Sequence, residues 1–104
     1  MDNIGEVVID GVPSPIEIDP DAGRIEVRAG DDVAFTQIRL RDSVLSLIHT
    51  EVPPALRRRG IADAMTRAAL EYARAYGLSV RPICPFVRAY LRRHPEFHDL
   101  VDPT

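Results

Sequence analysis

The chain has one cysteine, no excess of basic charge and no long apolar run, and each lack closes off a class of protein. A single thiol excludes an intrachain disulfide. With Cys84 alone, a structural zinc site would need three other ligands, and His49, His94 and His98 lack zinc-finger spacing, so no metal is expected. Thirteen basic against sixteen acidic residues give a net charge of -3, which argues against a general affinity for nucleic acid. No stretch is long and apolar enough for a membrane span. The start, Met1-Asp2-Asn3, has neither the basic nor the apolar region of a secretory signal. These lacks suit a soluble protein of a reducing compartment, and a cytoplasmic location is expected. At 104 residues the expectation is one domain, 1–104, with one modest core.

What is present reads as strands first and helices later. Glu6 to Ile9 and Arg24 to Arg28 are strand candidates. Between them Asp10-Gly11, Pro13, Pro15, Asp19-Pro20 and Gly23 read as turn chemistry. Val33 to Arg41 and Val44 to Thr50 form a hairpin around Asp42-Ser43. Pro54 to Tyr76 holds the main helix, with Ile61, Met65, Ala68, Tyr72 and Tyr76 on one face. Gly77 ends it as a left-handed cap. Leu78 to Ile83 is a strand parallel to Val44–Thr50 through a right-handed crossover. Pro82 places it at an edge, or parts it from its neighbour there. A second helix runs from Pro85 to His94, with Pro85 at its first position. Phe86, Phe97 and Leu100 read as core.

The segment Arg57-Arg58-Arg59-Gly60-Ile61-Ala62 lies where the apolar strand passes toward the long helix. The first N–H groups of a helix have no intrahelical partner, and the helix dipole adds positive potential there. An anion such as a pyrophosphate finds both donors and charge at such a junction. Gly60 allows close backbone approach. No Gly-Lys-Ser/Thr follows, so a nucleotide P-loop is excluded.

Arg57-x-x-Gly60-x-Ala62, preceded by His49-Thr50-Glu51-Val52-Pro53 and followed by Cys84-Pro85-Phe86 and Arg93-His94-Pro95-Glu96-Phe97, resembles the small single-domain members of the GNAT superfamily of N-acetyltransferases. The resemblance runs from about Arg24 to Val101. It implies a minimal α/β fold of order β–β–β–β–α–β–α. Its mixed, mostly antiparallel sheet would carry two main helices, and two splayed parallel strands would form an acyl-CoA cleft. It implies acetyl-CoA as cosubstrate, with Arg57, Arg58, Arg59, Gly60, Ile61 and Ala62 on the pyrophosphate and the backbone of Thr50 and Val52 along the pantetheine arm.

Four residues are candidates for chemistry, Cys84, His49 and Glu51 first and Tyr90 after them. Cys84 falls at the N-cap of the second helix, where a thiolate is stabilised by free N–H groups. It could take the acetyl group as a thioester, line the acyl pocket, or be a small buried apolar residue. His49 could be a general base for Cys84 or for an acceptor amine, or a histidine satisfied by the backbone. Glu51 shares the sheet face of His49; it could orient His49, act as base through water, or cap the Pro54 helix. Tyr90 could protonate the departing thiolate, as a tyrosine does in many relatives, or pack with its hydroxyl at the rim. The expected activity is acetyl transfer to an unknown amine or protein lysine. The short N-terminal region leaves little chain for an acceptor pocket, which points to an exposed lysine or amine on a large partner or to a homodimer whose second subunit completes the site. The rival functions are a CoA-binding sensor or partner protein without turnover, and a nucleic-acid or acidic-partner binder using Arg57, Arg58, Arg59, Arg88, Arg92 and Arg93, against which the acidic net charge argues.

Overall fold

A computed structural model describes residues 1–103. Its single sheet has six strands in sequential order: β1 (Asp2–Ile9), β2 (Val12–Asp19), β3 (Arg24–Ala29), β4 (Asp32–Arg41), β5 (Val44–Glu51) and β6 (Ser79–Pro82). The first five pair antiparallel and β6 joins β5 in parallel. Two helices complete the fold, α1 (Ile61–Ala75) between β5 and β6 and α2 (Pro85–Arg93) after β6. This is the mixed, mostly antiparallel α/β architecture expected. Among the described residues no helix is long and apolar enough to cross a membrane.

The strand β2 corrects the expected order, which had turns there. Asp10 and Gly11 both have positive φ and close a two-residue hairpin between Ile9 and Val12. Pro13 and Pro15 then sit two residues apart, so both missing N–H donors lie on one edge of β2. The hairpin register turns that edge away from β1, and β3 pairs with β2 only from Ile16 onward. The prolines therefore cost the ladder nothing.

Alternation along β3, β4 and β5 sends Ile25, Val27, Ala34, Ile38, Leu45 and Leu47 into the core beneath α1. Ile61, Met65, Ala68, Ala69, Leu70 and Ala73 of α1 meet them. Tyr76 leaves the expected face: it is the C-cap, past the last helical turn, and is exposed. The cap itself matches the expectation. Leu78 N–H donates to Ala73 O at 2.8 Å, Gly77 N–H to Arg74 O at 3.4 Å, and Gly77 has φ 67°. The helix does not begin at Pro54, where Pro54–Leu56 makes one 3-10 turn. A loop of Arg57 to Gly60 separates that turn from α1. Phe97 and Leu100 are buried in a second 3-10 turn, Pro95–Leu100, whereas Phe86 is exposed at the mouth of a cavity rather than in the core.

The parallel pair β5–β6 runs in register only from Val44↔Ser79 to Leu47↔Pro82. Beyond it the N–H groups of Ile83 and Cys84 both donate to Leu47 O, at 3.0 and 2.9 Å. Arg88 of α2 donates to the carbonyls of Pro82 and Ile83, which fixes the turn out of β6. His49 to Glu51 thus continue without a strand on their β6 side, and the two strands part at Pro82.

Candidate functional site

The loop before α1 curls because two residues in it adopt left-handed backbone, Arg58 at φ 65° and Gly60 at φ 73°. Gly60 is the N-cap of α1, and no side chain bonds to that helix end. The helical ladder opens with Ala64 N–H to Gly60 O at 3.0 Å. The N–H groups of Ile61, Ala62 and Asp63 therefore have no acceptor within the helix. They border a cavity of about 250 Å³, lined by this loop, by Val52 and Leu56 on one side and by Phe86 of α2 on the other.

The three arginines expected to act together are separated. Arg57 donates from Nε to Val52 O at 3.0 Å, locking the loop to the end of β5. Arg59 turns away and pairs with Asp10, at the tip of the first hairpin, at 2.6 Å. Arg58 has no ion pair among the described residues and lines the cavity. Uncapped amides, one free guanidinium and the dipole of a 15-residue helix make this corner fit a diphosphate. Of the eight residues assigned to the coenzyme, Val52, Arg57, Arg58, Gly60, Ile61 and Ala62 border the cavity and Thr50 and Arg59 do not.

Cys84 is the N-cap of α2, as its sequence context indicates, and is buried. Its Sγ lies 3.8 Å from Thr50 Oγ1, which in turn lies 3.0 Å from Thr36 Oγ1. The structure thus joins Cys84 to a threonine pair bridging β4 and β5.

His49 is not part of that group. The pairing Gln37↔His49 followed by Ile38↔Leu47 leaves Ile48 as an extra residue in β5, a β-bulge. The bulge turns Thr50 to the core face and His49 and Glu51 to the opposite, exposed face. There the His49 ring meets Phe35 edge-on, centroids 6.3 Å apart, and its Nε2 lies 3.5 Å from Glu51 Oε1. The expected contact of His49 with Glu51 is present, and a contact of either with Cys84 is not. Nor does Glu51 cap a helix at Pro54, since its carboxylate faces His49.

Tyr90 is buried, stacked on His94 with ring centroids 4.0 Å apart, and borders Arg67 rather than the cavity. The clearly displaced carboxyls lie at the far end of α1. Arg74 donates to both oxygens of Asp99 at 2.9 Å and holds that carboxyl below its usual range. The backbone N–H of Glu96, then His94, lowers Glu96. Among the described residues no group of three or more His, Cys, Asp or Glu side chains is placed to hold a metal ion.

Sequence reasoning missed three contributors. Asp10 was assigned only to a turn, and nothing local signals its partner 49 residues away. Thr36 becomes visible only once the bulge sets the β4–β5 register. Arg88 gives no local sign that it reaches back to the end of β6.

Comparison with known proteins gives the following. A family model described as GCN5-related N-acetyl-transferase matches residues 24–100. Protein NATD1 of Gallus gallus is 30% identical over 88 residues, covering 82% of this chain and 80% of that protein. Protein NATD1 of Mus musculus is 36% identical over 52 residues, 50% of this chain and 47% of that protein. Protein NATD1 of Homo sapiens is 36% identical over 52 residues, 50% of this chain and 46% of that protein, so these two matches span about half of each relative.

Proposed function

Given that the chain belongs to the GCN5-related N-acetyltransferase family, we propose that it acts as a single domain that binds acetyl-CoA at the start of α1 and transfers the acetyl group to an amine. The observation that carries this reading is the uncapped end of α1 opening on a cavity at the parting of β5 and β6. The N–H groups of Ile61, Ala62 and Asp63 would hold the diphosphate, with Arg58 as a mobile charge beside them. The backbone of β5 from His49 to Glu51, freed of β6, offers donors and acceptors to an extended pantetheine arm. Acetyl-CoA would supply the activated thioester, and the chain would supply its position.

Within this proposal the geometry favours direct attack by the acceptor amine over a covalent Cys84 intermediate. The thiol is buried, bonds to a threonine and has no histidine partner. His49 and Glu51, exposed on the opposite face, are the groups open to an incoming amine. The absence of an assembled nucleophile–base pair keeps a CoA-binding sensor without turnover as the second reading.

Intact-mass measurement after incubation with acetyl-CoA separates these. The sequence contains no lysine, so a stable adduct can form at Cys84 or the N-terminus without a crowd of surface amines. Direct transfer predicts no adduct on Cys84 and amine-dependent release of CoA thiol. An adduct lost in Cys84→Ala supports the covalent route instead. No adduct and no thiol release with any amine, despite CoA binding, supports the sensor.

A further inference from the structure

The exposed face of the sheet carries a second cavity, of about 330 Å³, behind the point where β5 and β6 part. Register alone builds it. Arg39 of β4 faces Ser46 of β5, and Ser46 faces Arg81 of β6. Three consecutive strands thus place arginine, serine and arginine in one row, with the two arginine backbones about 10 Å apart across the small serine. Arg41 follows one row on, opposite Val44. The floor is aliphatic, Val44, Ile48 and the exposed Ile83.

The charge of this lining opposes that of the chain. Three arginines stand against one carboxylate, Asp42, in a protein of net charge -3. Arg39 and Arg41 have no ion pair among the described residues. Arg81 gives one amino group to Asp102 at 2.6 Å, which fixes the guanidinium and leaves its other donors. Ser46 is 8% exposed as a residue; its hydroxyl has no hydrogen-bond partner among the described residues and is not among their buried unpaired polar atoms. The hydroxyl therefore meets solvent, and it is open to a ligand between the two arginine positions of the row.

We propose that Arg39, Ser46 and Arg81 bind the carboxylate of the acetyl acceptor, which is a small aliphatic amine bearing a carboxylate. This rests on the transfer reading above. The carboxylate sits in the arginine row, and the aliphatic stem lies over Ile48 and Ile83. The amine reaches the gap between the strands, about 7 Å along β5 from Ser46. There the amine nitrogen bonds to the acetyl carbon, the carbon–sulfur bond breaks, and the proton lost by the amine ends on the CoA sulfur. The cavity lies at the lower end of the volumes of small-molecule sites, which favours a free amino carboxylate over a protein segment.

The test uses 6-aminohexanoate and pentylamine, the same stem with and without a carboxylate. Wild-type protein is expected to show a KM for 6-aminohexanoate about tenfold or more below that for pentylamine. Arg39→Gln, at an exposed site, should raise the KM for 6-aminohexanoate to that of pentylamine. Equal KM values in wild type, or an unchanged KM in Arg39→Gln, overturn the assignment. Amide spectra of the coenzyme-free protein give an independent arm, in which 6-aminohexanoate should shift Ser46 and Arg81. If CoA binds but these amides stay still, the carboxylate site is wrong and the transfer reading survives. If they shift while CoA neither binds nor turns over, the anion site stands and the transfer reading falls. Shifts with a glutamate-rich peptide but none with 6-aminohexanoate also overturn the small-acceptor assignment.

Discussion

Replacing Gly60 with valine tests the loop at its hinge. Gly60 holds φ 73°, and a Cβ built there meets no atom within 4 Å. The cost is therefore backbone conformation, not collision. A non-glycine residue in the left-handed region costs about 1–2 kcal/mol, and a β-branched one lies at the upper end. With an unfolding entropy of about 0.22 kcal/mol/K for a chain of this length, Tm should fall by roughly 5–9 °C. The ligand arm is larger. CoA at a hundredfold its Kd adds about 2.7 kcal/mol, or about 12 °C in the same domain. Because Gly60 borders the cavity, valine methyls there stand in the path of the diphosphate, and the CoA-dependent rise should vanish. Differential scanning calorimetry with and without CoA reads both effects. An unchanged Tm refutes the strained backbone, and a full 12 °C rise in the valine protein refutes the loop as the binding element.

Cys84→Ala should keep the CoA-dependent rise in Tm and retain amine-dependent thiol release, since the thiol contacts Thr50 and no base. Loss of turnover with binding intact would restore the covalent route. Asp10→Asn releases Arg59 from an exposed pair, so stability should change by less than about 1 kcal/mol. CoA affinity should rise a few-fold at low salt, a gain that disappears in high salt; a salt-independent change contradicts the electrostatic account. Asp99→Asn tests the lowered carboxyl. Because its folded pKa lies below its unfolded value, its pairing with Arg74 stabilises above the ordinary carboxyl range. That contribution is lost as pH falls through the lowered folded value. The stability gap between wild type and Asp99→Asn should be present at pH 7 and close in strong acid, and a gap that widens in acid reverses the sign of the argument.

The fold was legible where pattern and punctuation agreed. The Asp42-Ser43 hairpin, the Gly77 cap, the parallel pairing of β5 with β6 and the Cys84 N-cap all follow from local chemistry. The strand β2 was not, because Pro13 and Pro15 read as turn residues until the neighbours show which ladder they avoid. The site was legible in its glycine and arginines as a segment. The division of labour among Arg57, Arg58 and Arg59 depends on Val52 and Asp10, which no local pattern links to them. The largest difference comes from one residue. A regular β5 would alternate from Leu47 to His49 on one face, and the bulge at Ile48 exchanges His49 for Thr50 beside Cys84. A bulge in an apolar strand leaves no mark in composition, so a base and a thiol that sequence placed together lie on opposite faces.

Titration of isotope-labelled protein with CoA tests the central claim most directly. The account predicts the largest amide shifts at Ile61, Ala62 and Asp63, with smaller ones along His49 to Glu51. Saturable binding that leaves those three amides unmoved and shifts a cluster elsewhere contradicts it.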